Sequence, residues 1–392
     1  MSTQLGNDNS KVTTDGEVDS PVIILNEFRE RSKDEQGLTQ NANAIALNTD
    51  HARKICFIAK LQPLFLPMKL FGLFIDDIMD YEGVPNRSRA SVFANRLYQC
   101  FVLLVFWLNF GKTLASFWVD KDHRHDDTLV LAMMLWFLQT ALQATICFFT
   151  MQITSKKSGL KSLMSYWNSQ PNFDELVIEP YMIKSIKRTL LVTYFLMALN
   201  SVFNALIAFL PSESLQLLAR ALMSPLPIDN IAVKVLSFVV TLYCTAAWLM
   251  PLAIFTAVCL TLTHQCGRLR KAMRLTASAD RLRRVIILRR QHSSLCGSVR
   301  KADNLFKFLT LVVYVTNIPL VCFLLYHLIF IKYNDTTTIL ILSFWFANVI
   351  VIMVGVSFLG ASINNKIHSF TEVVQKVQIS NVDLDTHTEV CF

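Results

Sequence analysis

The hydrophobic residues of this chain are gathered in blocks separated by polar connectors. Six blocks, at 98–119, 128–152, 189–210, 235–263, 306–331 and 338–362, are each long enough for a helix to cross a bilayer core, which takes about 20 residues. Two of them read TLVLAMMLWFLQTALQATICFFTMQI and TILILSFWFANVIVIMVGVSFLGAS. Neither carries the period-two alternation of a barrel strand. A spanning helix pairs all of its own backbone groups where no water can reach them, so helices are the predicted form. The expected fold class is all-α, a polytopic transmembrane helical bundle. A large soluble protein with buried helices is the alternative. It fits poorly with a chain that is 53% hydrophobic and only 17% charged, when soluble domains carry about 25% charged residues.

The connectors differ sharply in charge. From Arg268 to Lys301 the chain holds eleven Arg and Lys against one Asp. The connector after the second block adds Lys156, Lys157, Lys161, Lys184, Lys187 and Arg188, and Arg87, Arg89 and Arg96 precede the first. The intervening connectors offer only Lys121 and Arg124, Arg220 and Lys234, and Lys332. Lys and Arg in short loops mark the cytoplasmic side, so both termini are expected there. The net charge of +8 is then a topology signal, with anionic lipid as its partner and no nucleic acid. In the basic stretch, apolar residues at Leu269, Met273, Leu282, Ile286 and Leu288 predict helices that continue below the membrane, and Asp280 stands at pairing distance from Arg284 on such a helix.

The domain organisation follows. Residues 1–50 are polar and predict a disordered cytoplasmic tail. Residues 51–97 hold an apolar run broken by Lys60, Pro63, Pro67 and Lys69, a poor span that predicts an interfacial or re-entrant segment with its lysines reaching for headgroups. Spans one to four occupy 98–263, a basic cytoplasmic helical anchor 264–305, spans five and six 306–362, and a cytoplasmic tail 363–392.

Candidate chemistry changes this picture little. No phosphate-cradling glycine loop, nucleophile elbow or His-Glu metal pair is present, so no enzyme, no catalytic residue, no cofactor and no metal site is expected. Asp120, Asp122, His123, His125, Asp126 and Asp127 form a cluster that reads more simply as a polar hairpin between two spans. The nine cysteines fall within spans or on the expected reducing side, which leaves no external disulfide framework. Of two glycosylation sequons, Asn86 lies inside and Asn334 outside but close to the membrane. Acidic residues are missing from the interior of every span, which speaks against proton-coupled transport. Lys112 is the one cation deep in a span: it either snorkels to the outer surface, the commoner outcome, or faces an internal cavity. Uncharged polar and aromatic groups stand in the outer halves of the spans. They are Trp136 and Gln139, Asn200 and Asn204, Tyr243 and Trp248, Tyr326 and His327, and Trp345 and Asn348. A mostly apolar lining with a few placed polar groups suits a small organic ligand; interhelical hydrogen bonding and interfacial anchoring are the plainer roles for the same residues. From this set, Gln139, Asn204, Tyr243, Trp248, Tyr326, His327, Trp345 and Asn348 are the candidate ligand-binding residues, with Pro251 and Pro319 as candidate kinks that open room for a ligand.

Three stretches carry a family likeness: PLFLPMKLFGLF before the first span, RRQHSSLCGSVRKADNLFKF leading into the fifth, and SFLGASINNKIHSF closing the sixth. In order and spacing they resemble the gustatory-receptor-like proteins of the insect chemoreceptor superfamily, over residues 55–375. The resemblance implies a ligand-gated cation channel in the plasma membrane. It further implies a homo- or hetero-tetramer with related subunits, an intracellular anchor built from helix extensions, and a ligand pocket in the outer halves of the helices. It also implies a seventh, pore-lining helix bearing Thr-Tyr and then Gln-Phe. The chain closes on TEVVQKVQISNVDLDTHTEVCF without that signature, so conduction is expected only in company with full-length partners. Two rivals stand beside this reading. A G-protein-coupled receptor would need the opposite orientation, and no Asp-Arg-Tyr follows the third span. A non-conducting modulatory or trafficking subunit fits the same pattern of spans. The stimulus is not legible.

Overall fold

The computed structural model describes residues 63–74, 89–119, 127–152, 159–168, 180–210, 212–275, 281–330 and 336–381, and its regular elements are helical. In chain order they are α1 (Arg89–Val119), α2 (Asp127–Cys147), α3 (Leu160–Asn168), α4 (Pro180–Phe209), α5 (Glu213–Met223), α6 (Ile231–Leu275), α7 (Arg281–Phe330) and α8 (Thr336–Asn381). A π-helical turn, Phe148–Gln152, continues α2, and a short helix at residues 63–70 precedes α1. Among the described residues six helices are long and apolar enough to cross a membrane: α1, α2, α4, α6, α7 and α8. These are the six spans the hydrophobic blocks predict, in the same order.

The helix ends depart from those blocks. α1 starts at Arg89, not at 98, and α4 at Pro180, not at 189. α6 runs on to Leu275 and α7 starts at Arg281, so the described parts of the basic stretch at 264–305 continue the fourth and fifth spans as helices, as the apolar spacing there predicts. The reason is that hydropathy marks where a helix leaves hydrocarbon, not where it ends. Arg, Lys, Gln and Leu are good helix formers and carry the helix onward. Asp280 and the side chain of Arg284 lie outside the described residues, as does the tail at 1–50.

α6 is the hub. It packs against α1, α2, α4, α5, α7 and α8, and 72% of its apolar window is buried, against 22% for α1 and 28% for α4 and α8. Its sequence explains this. Cys244, Thr245, Ala246 and Ala247 are four consecutive small residues, all buried, and they let neighbouring backbones approach from every side. The outer helices instead turn large apolar residues outward, among them Phe101 and Leu108 on α1, Leu191 and Phe195 on α4, and Val351 and Phe358 on α8. Such faces belong in lipid or against another subunit.

The segment expected at the interface, described over residues 63–74, packs one side against the bundle and leaves Leu66 and Leu70 exposed on the other. Leu64, Phe65, Met68, Leu73 and Phe74 are buried, with the Phe65 and Phe74 rings stacked at 4.6 Å. The Tyr98 hydroxyl donates to the carbonyl of Leu70 at 2.6 Å, and the Tyr194 hydroxyl to that of Pro63 at 2.8 Å. Gly72, at φ +68°, turns the chain so closely onto α1 that a Cβ there would come within 2.9 Å of Val102. Lys69 is half-buried; Lys60 lies outside the described residues.

Pro251 interrupts α6 without ending it. Proline has no N–H to give the carbonyl four residues earlier, which here belongs to Ala247. With its amide oriented so that the nitrogen faces α6, the Gln143 side chain on α2 donates to that oxygen at 3.1 Å and to the carbonyl of Trp248 at 3.2 Å. Gln143→Leu removes both bonds and leaves the buried Ala247 carbonyl unpaired, so it is expected to cost about 1–3 kcal/mol. The matched change Pro251→Ala restores the backbone donor and should recover part of the loss, read as the thermal midpoint of the purified protein in detergent.

Candidate functional site

A cavity lies inside the bundle, lined by α2, α4, α6, α7 and α8. Trp136, Asn200, Asn204, Trp248 and Trp345 line it together with Met133, Leu320 and Leu324. By helix rise, Trp136 and Trp345 stand roughly 14 Å from the first residues of α2 and α8, and Asn204 and Leu324 roughly 8 Å from the last residues of α4 and α7. The cavity therefore sits toward the end of the bundle where α1 meets α2, α4 meets α5, and α7 meets α8. Trp136 meets Trp248 edge to face at 6.5 Å, with Phe137 tilted against Trp136 at 5.0 Å.

Two polar atoms on its walls have no hydrogen-bond partner: the indole N–H of Trp248 and the side-chain oxygen of Asn204. One is a donor and the other an acceptor, and burying each unpaired carries a cost of about 1–3 kcal/mol. The Asn200 amide, by contrast, donates to the Leu196 carbonyl at 3.0 Å. The space is small, about 30 Å³, enough for water but well below the roughly 300 Å³ at which ligand pockets begin. A ligand must therefore push side chains aside. Met133, unbranched and with three rotatable bonds, is the wall most able to give way.

Asn204, Trp248 and Trp345 are thus brought together, and Trp136 and Asn200 join them. Gln139 and Asn348 are buried on α2 and α8 without lining the cavity, each with an unpartnered side-chain atom. Tyr243 turns to the other side of α6, where its hydroxyl lies 3.1 Å from that of Tyr98 and its ring meets Phe71 edge-on at 5.2 Å. Tyr326 is exposed beside Phe330. His327 is buried, with its Nε2 2.8 Å from the Thr128 hydroxyl, joining α7 to the start of α2. Met133, Leu320, Leu324 and Val349 also line the cavity. Sequence reasoning missed them because an apolar residue in an apolar helix carries no mark of the side it faces. Pro319, inside α7 and next to Leu320, was the available signal.

Lys112 does not snorkel. Its ammonium turns into the bundle, donates to the Leu222 carbonyl at 3.0 Å and sits 5.9 Å from the centre of the Phe137 ring. The end of α5 folds over α2 and supplies that carbonyl, and a lysine reaching for bulk water would have left it unpaired. The hairpin cluster from Asp120 to Asp126 lies outside the described residues. Among the described residues no three His, Cys, Asp or Glu side chains are grouped to hold a metal ion.

Comparison with known proteins finds a family likeness over part of the chain and a likeness of fold over most of it. Residues 213–383, from α5 to beyond the end of α8, match the family model of the trehalose receptor. The insect olfactory receptor OR5 from Machilis hrabei is similar in fold, at 14% identity and a TM-score of 0.54, with 82% of each chain covered. The structure of OR5 in complex with eugenol is similar at a TM-score of 0.55, with 14% identity over 82% of this chain and 90% of that one. No curated protein matches. Among the described residues the chain is thus a helical bundle with six candidate spans, similar in fold to an insect olfactory receptor, and its residues 213–383 are similar to the trehalose receptor family.

Proposed function

We propose that this chain is a chemosensory receptor subunit whose ligand enters the Trp136–Trp248–Trp345 cavity and thereby biases a tetrameric, ligand-gated cation channel. The observation that carries the reading is the pair of unpaired polar atoms, Trp248 N–H and Asn204 Oδ1, on otherwise apolar aromatic walls. A small, mostly apolar molecule with one hydroxyl could satisfy both and would bind in place of a costly vacancy. Eugenol, bound by OR5, is of that kind. Trehalose, whose name the matching family bears, carries many hydroxyls that this lining has too few partners to satisfy. Gln139 and Asn348 are second-rank contacts, reachable if the walls shift; Tyr243, Tyr326, His327 and Lys112 have structural partners that account for them.

In this reading the basic extensions of α6 and α7 are cytoplasmic, both termini are cytoplasmic, the cavity end faces outward, and the membrane is the plasma membrane. The charge bias of the connectors supports the orientation. The half-exposed apolar faces of α1, α4 and α8 leave room for neighbouring subunits. Cation current is the test, recorded from cells expressing the chain alone and with a related subunit, while small phenols, their deoxy analogues and trehalose are applied. A response to phenols is expected, reduced about tenfold in potency by Asn204→Leu, with little change for the deoxy analogues. The value of one hydrogen bond to a buried group sets that scale. A trehalose response unaltered by Asn204→Leu would overturn the assignment of the cavity. External staining of a terminal tag on intact cells would overturn the orientation.

A further inference from the structure

A second, larger cavity of about 490 Å³ lies between the end of α2, the start of α3 and α7. Lys301, Lys307, Ser162 and Asn304 line it alongside Phe149 and Phe308. We propose that it binds the headgroup of an anionic phospholipid.

Charge is the first argument. Two lysines face the space and, among the described residues, no carboxylate lines it; Asp303, the nearest along α7, is not part of the wall. Lys301 is held in place, with its ammonium donating to the Ser162 hydroxyl at 2.9 Å and lying 5.3 Å from the Tyr166 ring centre. α3 also begins at this wall, after Gly159, and the first N–H groups of a helix have no partner within it and favour an anion.

Level and access are the second. Lys301, Asn304 and Lys307 stand where the charged run RRQHSSLCGSVRKADN of α7 gives way to LFKFLTLVVYV, which is the polar–apolar boundary of a span and the depth of headgroups. Phe149 and Phe308 are 55% and 53% exposed and flank the opening toward the hydrocarbon. A phosphate on the lysines with its acyl chains against these two rings uses both halves of the site, whereas a free anion would leave the aromatic wall unused. Basic pockets between spanning helices on the cytoplasmic side are of this type.

The test uses the full chain in nanodiscs of phosphatidylcholine doped with phosphatidylserine, with retained lipid counted by native mass spectrometry after detergent transfer. Selective retention of phosphatidylserine is expected. Lys301→Gln with Lys307→Gln should weaken it about thirtyfold, from about 1 kcal/mol per cation. The charge-keeping pair Lys301→Arg and Lys307→Arg should keep it, and Arg220→Gln with Lys234→Gln, remote from the site, should leave it unchanged. Equal retention of the two lipids, equal loss in the remote pair, or displacement by inorganic phosphate as effective as by phosphatidylserine would each overturn the proposal. A diazirine-bearing phosphatidylserine on the unaltered protein gives an independent readout, free of any folding defect in the variants. Labels within 145–150, 159–162 and 301–308 support the site, and labels confined to other segments overturn it. Neither readout depends on current, so failure here is distinct from failure of the receptor reading.

Discussion

Trp248→Ala is expected to lower the thermal midpoint of the purified protein more than any other single change in the cavity wall. The indole is buried on the most enclosed helix and meets Trp136 edge to face at 6.5 Å. Truncating a buried tryptophan costs about 3–5 kcal/mol, part of it for the hole left behind. Trp248→Phe separates packing from polarity: it keeps an aromatic wall and deletes an N–H that already lacks a partner, so it should remain close to the parent in stability. If the cavity takes ligands, the alanine variant accepts bulkier ones than the parent, while the phenylalanine variant loses discrimination between a phenol and its deoxy analogue. Near-equal melting of the alanine variant and the parent would mean that the indole is not packed as described.

The second large effect belongs to Gly159. It precedes α3 at φ +93°, and a Cβ there would run into the carbonyl of Thr150 on the π-helical turn. Left-handed backbone costs an L-residue roughly 1–2 kcal/mol, and forcing atoms into packed space adds about 1–3 kcal/mol. Gly159→Ala should therefore destabilise by several kcal/mol and reduce the yield of folded protein. Gly111→Ala and Gly355→Ala are the controls. Both glycines are helical with nothing within 4 Å of a new Cβ, so helix propensity alone acts and each should stabilise by about 0.5–1 kcal/mol. A melt series of the three variants distinguishes backbone strain from a general intolerance of glycine substitution.

What the sequence disclosed, and what it hid, follows from the kind of signal each feature leaves. Six spans were legible because about 20 apolar residues in a row have no cheaper solution than a helix in lipid. Their order, and the helical continuation of the basic stretch, followed from the same pattern. The centrality of α6 was also written, in Cys244-Thr245-Ala246-Ala247, but as residue size, which a hydropathy profile does not weigh. The burial of Leu64, Phe65, Met68, Leu73 and Phe74 was hidden because Lys69, Pro63 and Pro67 among them look like surface features. Only the tyrosine bonds from α1 and α4 and the tight turn at Gly72 bring those residues inside. The cavity was half legible. Tryptophan and asparagine stand out in an apolar helix, so Asn204, Trp248 and Trp345 were found; Tyr243 and His327 stand out equally but spend their polar atoms on Tyr98 and Thr128. Lys301, Asn304 and Phe308 recur at helical spacing on one face of α7, and that pattern was present but submerged in the surrounding charge.

The length of α6 has a mechanical consequence. From Trp248 at the cavity to Leu275 the helix runs unbroken, a distance of roughly 40 Å at 1.5 Å per residue. Pro251 sits at the upper end of that rod, where proline is the usual cause of a bend. Tilting a lever arm of this reach by a few degrees about the proline carries its far tip through a few ångströms. A side-chain displacement at the tryptophans would thus arrive, magnified, at the opposite end of the subunit.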